Sequence, residues 1–152
     1  MPRGVEVLGQ VGHAGKFGGG GRRPATGSLR RVSAFDDLAG MEPLRIWDGV
    51  AARAIEGERS SFAVVELDPG SLVPEHAHGN EQLGLVIRGS LEFRVGDETR
   101  ELGPGSTWCI PGDTPHEVRA GPDGAVVIDI FAPAREDWAA IERDSPRAPR
   151  WP

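Results

Sequence analysis

The sequence predicts an all-β domain, either a sandwich or a barrel, and three observations carry that expectation. Short segments rich in strand-forming residues recur from Val50 onward, turn residues separate them, and apolar and polar side chains alternate within them. A chain of 152 residues suits one such domain with one modest core.

The predicted strands are Val50–Ile55, Ser61–Leu67, Gln82–Ile87, Leu91–Val95, Thr99–Leu102, Ser106–Ile110, His116–Arg119 and Ala125–Phe131. Between them lie turn clusters such as Asp68-Pro69-Gly70, Arg88-Gly89-Ser90, Gly96-Asp97-Glu98, Gly103-Pro104-Gly105 and Gly121-Pro122-Asp123-Gly124. Leu91, Phe93 and Val95 alternate with Glu92 and Arg94, which predicts one buried and one wet face. A short helix is predicted near Arg135–Arg143, where Trp138 and Ile141 share a face. No long internal repeat is visible, so one barrel is expected and not two.

Residues 1–33 read as a flexible Gly/Arg-rich tail, or as translation from a start placed too far upstream, because Gly18-Gly19-Gly20-Gly21 and its flanks hold almost no large apolar residues. Residues 34–145 read as the β domain and residues 146–152 as a C-terminal extension. The net charge of -6 gives no basic footprint, so nucleic acid is not an expected partner. No apolar run reaches the ~20 residues of a membrane helix, and no signal-type block opens the chain. The expectation is a cytoplasmic protein without membrane contact. The single cysteine, Cys109, rules out an intrachain disulfide and reads as an inert core thiol.

Three of the four histidines carry the chemistry. In Gly70-Ser71-Leu72-Val73-Pro74-Glu75-His76-Ala77-His78 the His-x-His spacing puts both imidazoles on one side of an extended chain. Gln82 follows four residues later, and Pro111-Gly112-Asp113-Thr114-Pro115-His116 delivers a third imidazole from a tight turn. Three neutral nitrogens and an amide oxygen suit one divalent transition metal ion, with positions left for water or substrate. Zn, Mn, Fe, Ni and Co are not separated by these donors. His13, alone among glycines, reads as a surface residue. Asp129 interrupts the apolar run Ala125–Phe131, which is costly unless its carboxylate faces water, a partner or a metal-bound ligand. Either the mouth of a barrel near the metal or the wet side of an edge strand would satisfy it.

On these residues the chain resembles the cupin superfamily, whose first motif runs Gly-x5-His-x-His-x3/4-Glu-x6-Gly. Gly70, His76, His78 and Gly89 match it, with Gln82 in the place of the glutamate. The second motif is similar to Gly105-x5-Pro111 followed by His116, with the glycine displaced to Gly112 and Arg119–Ala120 in place of the asparagine. The resemblance implies a single cupin β-barrel, a double-stranded β-helix or jelly roll. It also favours Gln82 over the neighbouring Glu81 as the ligand, since adjacent strand residues face opposite ways. A glutamine leaves the full charge on the ion, which strengthens its pull on anionic oxygens.

The close of the run, Asp129-Ile130-Phe131 through Arg135-Glu136-Asp137, resembles the pectin-degradation cupins, which linearise cyclic unsaturated uronates. That resemblance implies a pocket lined by Asp129, Phe131 and Arg135, although Arg135 could equally pair with Glu136 or Asp137 on a helix surface. Trp47, Trp108 and Trp138 could form a sugar-stacking platform or pack in a core or dimer interface. The expected function is metal-dependent isomerase chemistry on a small, oxygen-rich, sugar-derived carboxylate. Asp129 would shuttle a proton, Arg135 would clamp the carboxylate and Phe131 would form an apolar wall. An Fe(II)-dependent dioxygenase and a non-catalytic sugar-acid binder are the alternatives, and a homodimer is the expected assembly.

Overall fold

The computed structural model describes residues 34–152, and the stretch expected as a tail, residues 1–33, lies outside the described residues. Eight strands form one sheet: β1 (Leu44–Trp47), β2 (Val50–Glu56), β3 (Ser61–Leu67), β4 (Leu72–His76), β5 (Glu81–Val95), β6 (Glu98–Leu102), β7 (Thr107–Ile110) and β8 (His116–Ala132). Their order is β1-β2-β3-β8-β5-β6, with β4 added on β8 and β7 on β5.

β5 and β8 organise this arrangement. They run antiparallel from Glu81↔Ala132 to Val95↔His116, with register shifts between Val86 and Arg88 and between Gly89 and Leu91. Each was expected as two strands split by a turn. Instead, the glycine-rich segments are bends inside continuous strands. Gly89 and Gly124 adopt positive φ there, and a Cβ on Gly89 would overlap the Gly124 carbonyl. On one side of the bend, β5 and β8 sit between β7 and β3. On the other side they sit between β6 and β4.

Two expectations are corrected here. The sheet is not a closed barrel or jelly roll. Among the described residues β1, β4, β6 and β7 each pair with one strand only, so the ladder curls but its ends do not join. Curling alone brings the inner faces together, and Val65, Val86 and Val127 share one core with Val73, Phe93 and Val118. There is also no C-terminal helix over Arg135–Arg143. Only a single 3-10 turn, Glu136–Ala140, forms. Its N-terminus lacks a side-chain cap, and the chain becomes extended again at Ile141 before Arg143 bridges to Leu44. That turn is held by burial of Trp138 against Phe131.

Period-two alternation sets what faces inward. Ala63, Val65 and Leu67 of β3 join the core, while Val64 and Glu66 point to the opposite face. That outer face is covered too. Arg53 of β2 donates to Glu66 at 2.6 Å and to the Arg147 carbonyl at 2.7 Å, and the Arg150 N–H donates to Glu66 at 2.9 Å. The segment 146–152 thus lies across β2 and β3 and shuts an ion pair away from water. Cys109 is a further correction. It alternates with the half-buried Trp108 and the buried Ile110 and so faces outward, where it is exposed and not in the core.

Candidate metal centre

The three histidines meet because the strands that carry them pair. His76 ends β4, His116 begins β8, and the two are register partners with ring centroids 4.2 Å apart. His78 stands in the loop that follows β4, 5.1 Å from the His116 ring. Its loop is docked onto the turn before β8 by Asp113 N–H, which donates to the His78 carbonyl at 2.7 Å. Gly112 makes this approach feasible, since a Cβ there would press on the Gly79 carbonyl. The potential ligand atoms of His76, His78 and His116 lie within 4.8 Å of one another.

Each ring is oriented in the same way. Nδ1 of His76, His78 and His116 bonds a backbone carbonyl, of Pro74 at 2.9 Å, Asn80 at 3.1 Å and Thr114 at 2.8 Å respectively. A carbonyl can only accept, so Nδ1 carries the proton and Nε2 presents its lone pair. Burial is the main cause that holds all three rings neutral, with His76 lowered to about 4. Nε2 of His116 is buried without any hydrogen-bond partner. An orphaned lone pair beside two more imidazoles fits a divalent cation, since a ligating imidazole uses its other N–H on just such an outer partner.

Gln82 and Asp129 lie beside this cluster, whereas Glu81 is exposed. The Gln82 amide spans the two. Its Nε2 donates to Asp129 Oδ1 at 2.8 Å, and its Oε1 lies 3.2 Å from His78 Nε2. Asp129 receives a second bond from the Trp108 indole N–H at 3.1 Å. Asp129 sits on a central strand, not an edge. Burial raises its carboxyl to about 6, against the lowering effect of the Gln82 and Trp108 hydrogen bonds and the Arg135 charge. It can therefore both take and give a proton near neutrality.

The cavity, about 570 Å³ with its open mouth, is lined by His76, Gln82, His116, Asp129, Phe131 and Arg135, and also by Val65, Leu91, Phe93 and Val127. The Arg135 guanidinium lies 5.0 Å from the Phe131 ring and 4.9 Å from the Trp138 ring. It is bidentate to Asp137 at 2.9 and 2.8 Å. Arg135 thus lines the cavity while paired with Asp137. Trp47 packs on His76 at 4.9 Å, whereas Trp138 is a core residue. Trp47, Trp108 and Trp138 all line the cavity. The contact that sequence reasoning missed is Trp108 with Asp129, and its only trace in the chain is the glycine between them in the sheet, Gly84.

Comparison with known proteins agrees with this geometry. Residues 63–131 match the family model described as Cupin domain. That stretch holds His76, His78 and His116, the cluster that could hold a divalent metal ion. Among curated relatives it is 28% identical over 112 residues to the pectin degradation protein KdgF of Dickeya dadantii (strain 3937), covering 72% of this chain and 99% of that protein. It is 39% identical over 64 residues to the H2HPP isomerase of Bacillus subtilis, covering 41% of this chain but only 27% of that protein. The solved structure of KdgF from Halomonas sp. superposes with a TM-score of 0.64 at 26% identity, over 70% of this chain and 98% of that one. No helix among the described residues is long and apolar enough to cross a membrane.

Proposed function

We propose that this domain is a metal-dependent isomerase of a small, oxygen-rich carboxylate, opening the ring of a cyclic unsaturated uronate to its linear keto form. The observation that carries the reading is the Gln82 amide, which joins a buried, proton-accepting Asp129 to the histidine cluster within one cavity. Similarity to KdgF over almost that protein's whole length supports the substrate class.

His76, His78, His116 and Gln82 would hold the ion. When bound, it would supply Lewis acidity that polarises oxygens of the substrate. The chain's own residues supply the rest. Arg135 orients the carboxylate, as a planar guanidinium does bidentately. Phe131 forms the wall that keeps water from the ring. Asp129 removes the proton of the anomeric hydroxyl as the bond from the anomeric carbon to the ring oxygen breaks, which leaves an aldehyde and an enolate. It then returns that proton to the far carbon of the enolate double bond, and the enolate becomes a ketone. Atoms balance without a co-reactant, and a carboxyl near 6 serves both transfers.

The test is to incubate cation-loaded and chelator-treated protein with unsaturated uronate and follow the ultraviolet absorbance of the double bond. Loss of absorbance with loaded protein alone is expected. Tight binding without turnover would reassign the domain as a sugar-acid binder, and substrate-dependent oxygen uptake by iron-loaded protein would reassign it as a dioxygenase. The homodimer reading is supported by the half-exposed outer row of Ile55, Leu83 and Ile130, and analytical ultracentrifugation tests it.

A further inference from the structure

Trp108 and Asp129 do not lie on neighbouring strands. β5 runs between them, and the same residue, Gly84, is the register partner of both. Residues directly opposite one another project to one face of a sheet, so a side chain at position 84 would fill the space between indole and carboxylate. Glycine leaves that space empty. A Cβ built there would overlap Cε2, Cζ2 and Nε1 of the indole. The indole crosses β5 over this gap, with Phe93 edge-on to it at 5.1 Å, and its N–H reaches Asp129 Oδ1 at 3.1 Å.

An indole N–H can only donate. Oδ1 of Asp129 already takes that bond and the one from Gln82 Nε2. The amide of Gln82 has a donor end and an acceptor end of nearly equal size, and only its partners decide which way it faces. With Oδ1 held as an acceptor, the N–H end must face Asp129 and Oε1 must face the histidine cluster. Without the indole bond the carboxylate is free to rotate about Cβ–Cγ, and the amide loses the fixed acceptor that sets which way it faces.

We propose that Trp108, seated over Gly84, is a positioning residue that acts through Oδ1 of Asp129 to keep the carbonyl of Gln82 aimed at the cation. The proposal rests on the reading of Gln82 as a cation ligand and is independent of the substrate. Outer partners of this kind change metal affinity by roughly ten- to hundred-fold.

The decisive experiment titrates chelator-stripped wild type and Trp108→Phe with Co(II) by calorimetry and records the visible spectrum of the bound ion. Trp108→Phe keeps an aromatic ring but deletes the N–H. Its affinity is expected to fall about ten-fold or more, with an altered spectrum and unchanged circular dichroism. Gly84→Ala, which displaces the ring, is expected to match it. Wild-type affinity and spectrum in Trp108→Phe would overturn the proposal while the wild type still binds Co(II). A wild type that binds no Co(II) would remove the Gln82 reading as well. Should either variant fail to fold, the wild type alone answers. Its Trp108 indole N–H resonance is expected to shift when Zn(II) is added, and a resonance indifferent to the ion overturns the proposal.

Discussion

Gln82→Glu turns the hydrogen bond between positions 82 and 129 into a collision of like charges. In the wild type the amide nitrogen donates to Asp129 across 2.8 Å, and both side chains are buried. Two carboxylates at that separation repel by about 6 kcal/mol at the effective dielectric that suits protein sites. Binding one proton at neutral pH costs less, so the pair shares one. Asp129, already raised to about 6 by burial, is expected to titrate above about 8 in the cation-free variant. The sign follows: at neutral pH the wild-type group is mostly ionised, and in the variant it is mostly protonated. Carbon-13 NMR of the aspartate carboxyls in cation-free protein reads this directly. In the loaded enzyme the introduced carboxylate should tighten cation binding, while the acid limb of kcat/KM moves toward higher pH. An Asp129 resonance that still titrates near 6 in Gln82→Glu would refute the contact and the mechanism built on it.

Other expectations test separate parts of the molecule. Burial holds all three histidines below the ordinary imidazole value, His76 at about 4, so Zn(II) affinity should be lost at lower pH than free imidazoles would lose it. A steep loss of affinity between pH about 7 and about 6 in calorimetric titrations would contradict this. Arg53→Met removes the 2.6 Å partner of the buried Glu66, which keeps Arg147 at 3.1 Å, and should cost about 1.5–3 kcal/mol in urea unfolding. The double variant Arg53→Met, Glu66→Leu should cost less than that single one. Arg135→Ala removes the proposed carboxylate clamp and should raise KM ten- to hundred-fold, about 1.5–3 kcal/mol, with kcat changed far less.

The site was more legible than the closure of the sheet. His76 and His78 are two residues apart on one extended segment, and the third histidine follows a turn with its own proline and glycine signature, so each could be read locally. Closure could not be read that way. An open, curled sheet and a closed one present the same alternation, and only pairing between distant edges separates them. β4 was missed because Pro74 interrupts its pattern, yet β4 pairs with β8 alone and an edge strand tolerates the missing donor. Arg88-Gly89-Ser90 and Gly121-Pro122-Asp123-Gly124 carry turn chemistry, but here they bend two paired strands together. The helix was inferred from one pair of apolar residues, Trp138 and Ile141, and a 3-10 turn satisfies that pair equally well. Trp108 was noticed, but its meeting with Asp129 depends on the register of three strands, which no local stretch of sequence encodes.

The cavity sets a small group of polar side chains within a largely apolar wall. His76, Gln82, His116, Asp129 and Arg135 supply its charge and hydrogen bonds, while valine, leucine and phenylalanine side chains make up much of the remaining wall. Such a chamber grips one edge of its guest by charge and judges the remainder by bulk alone. Walls without hydrogen-bonding groups reject an added hydroxyl by only about a hundred-fold. Several acids that share the same reactive edge should therefore compete for this one chamber, and tolerance among them is set by the room beside Val127 and Phe93.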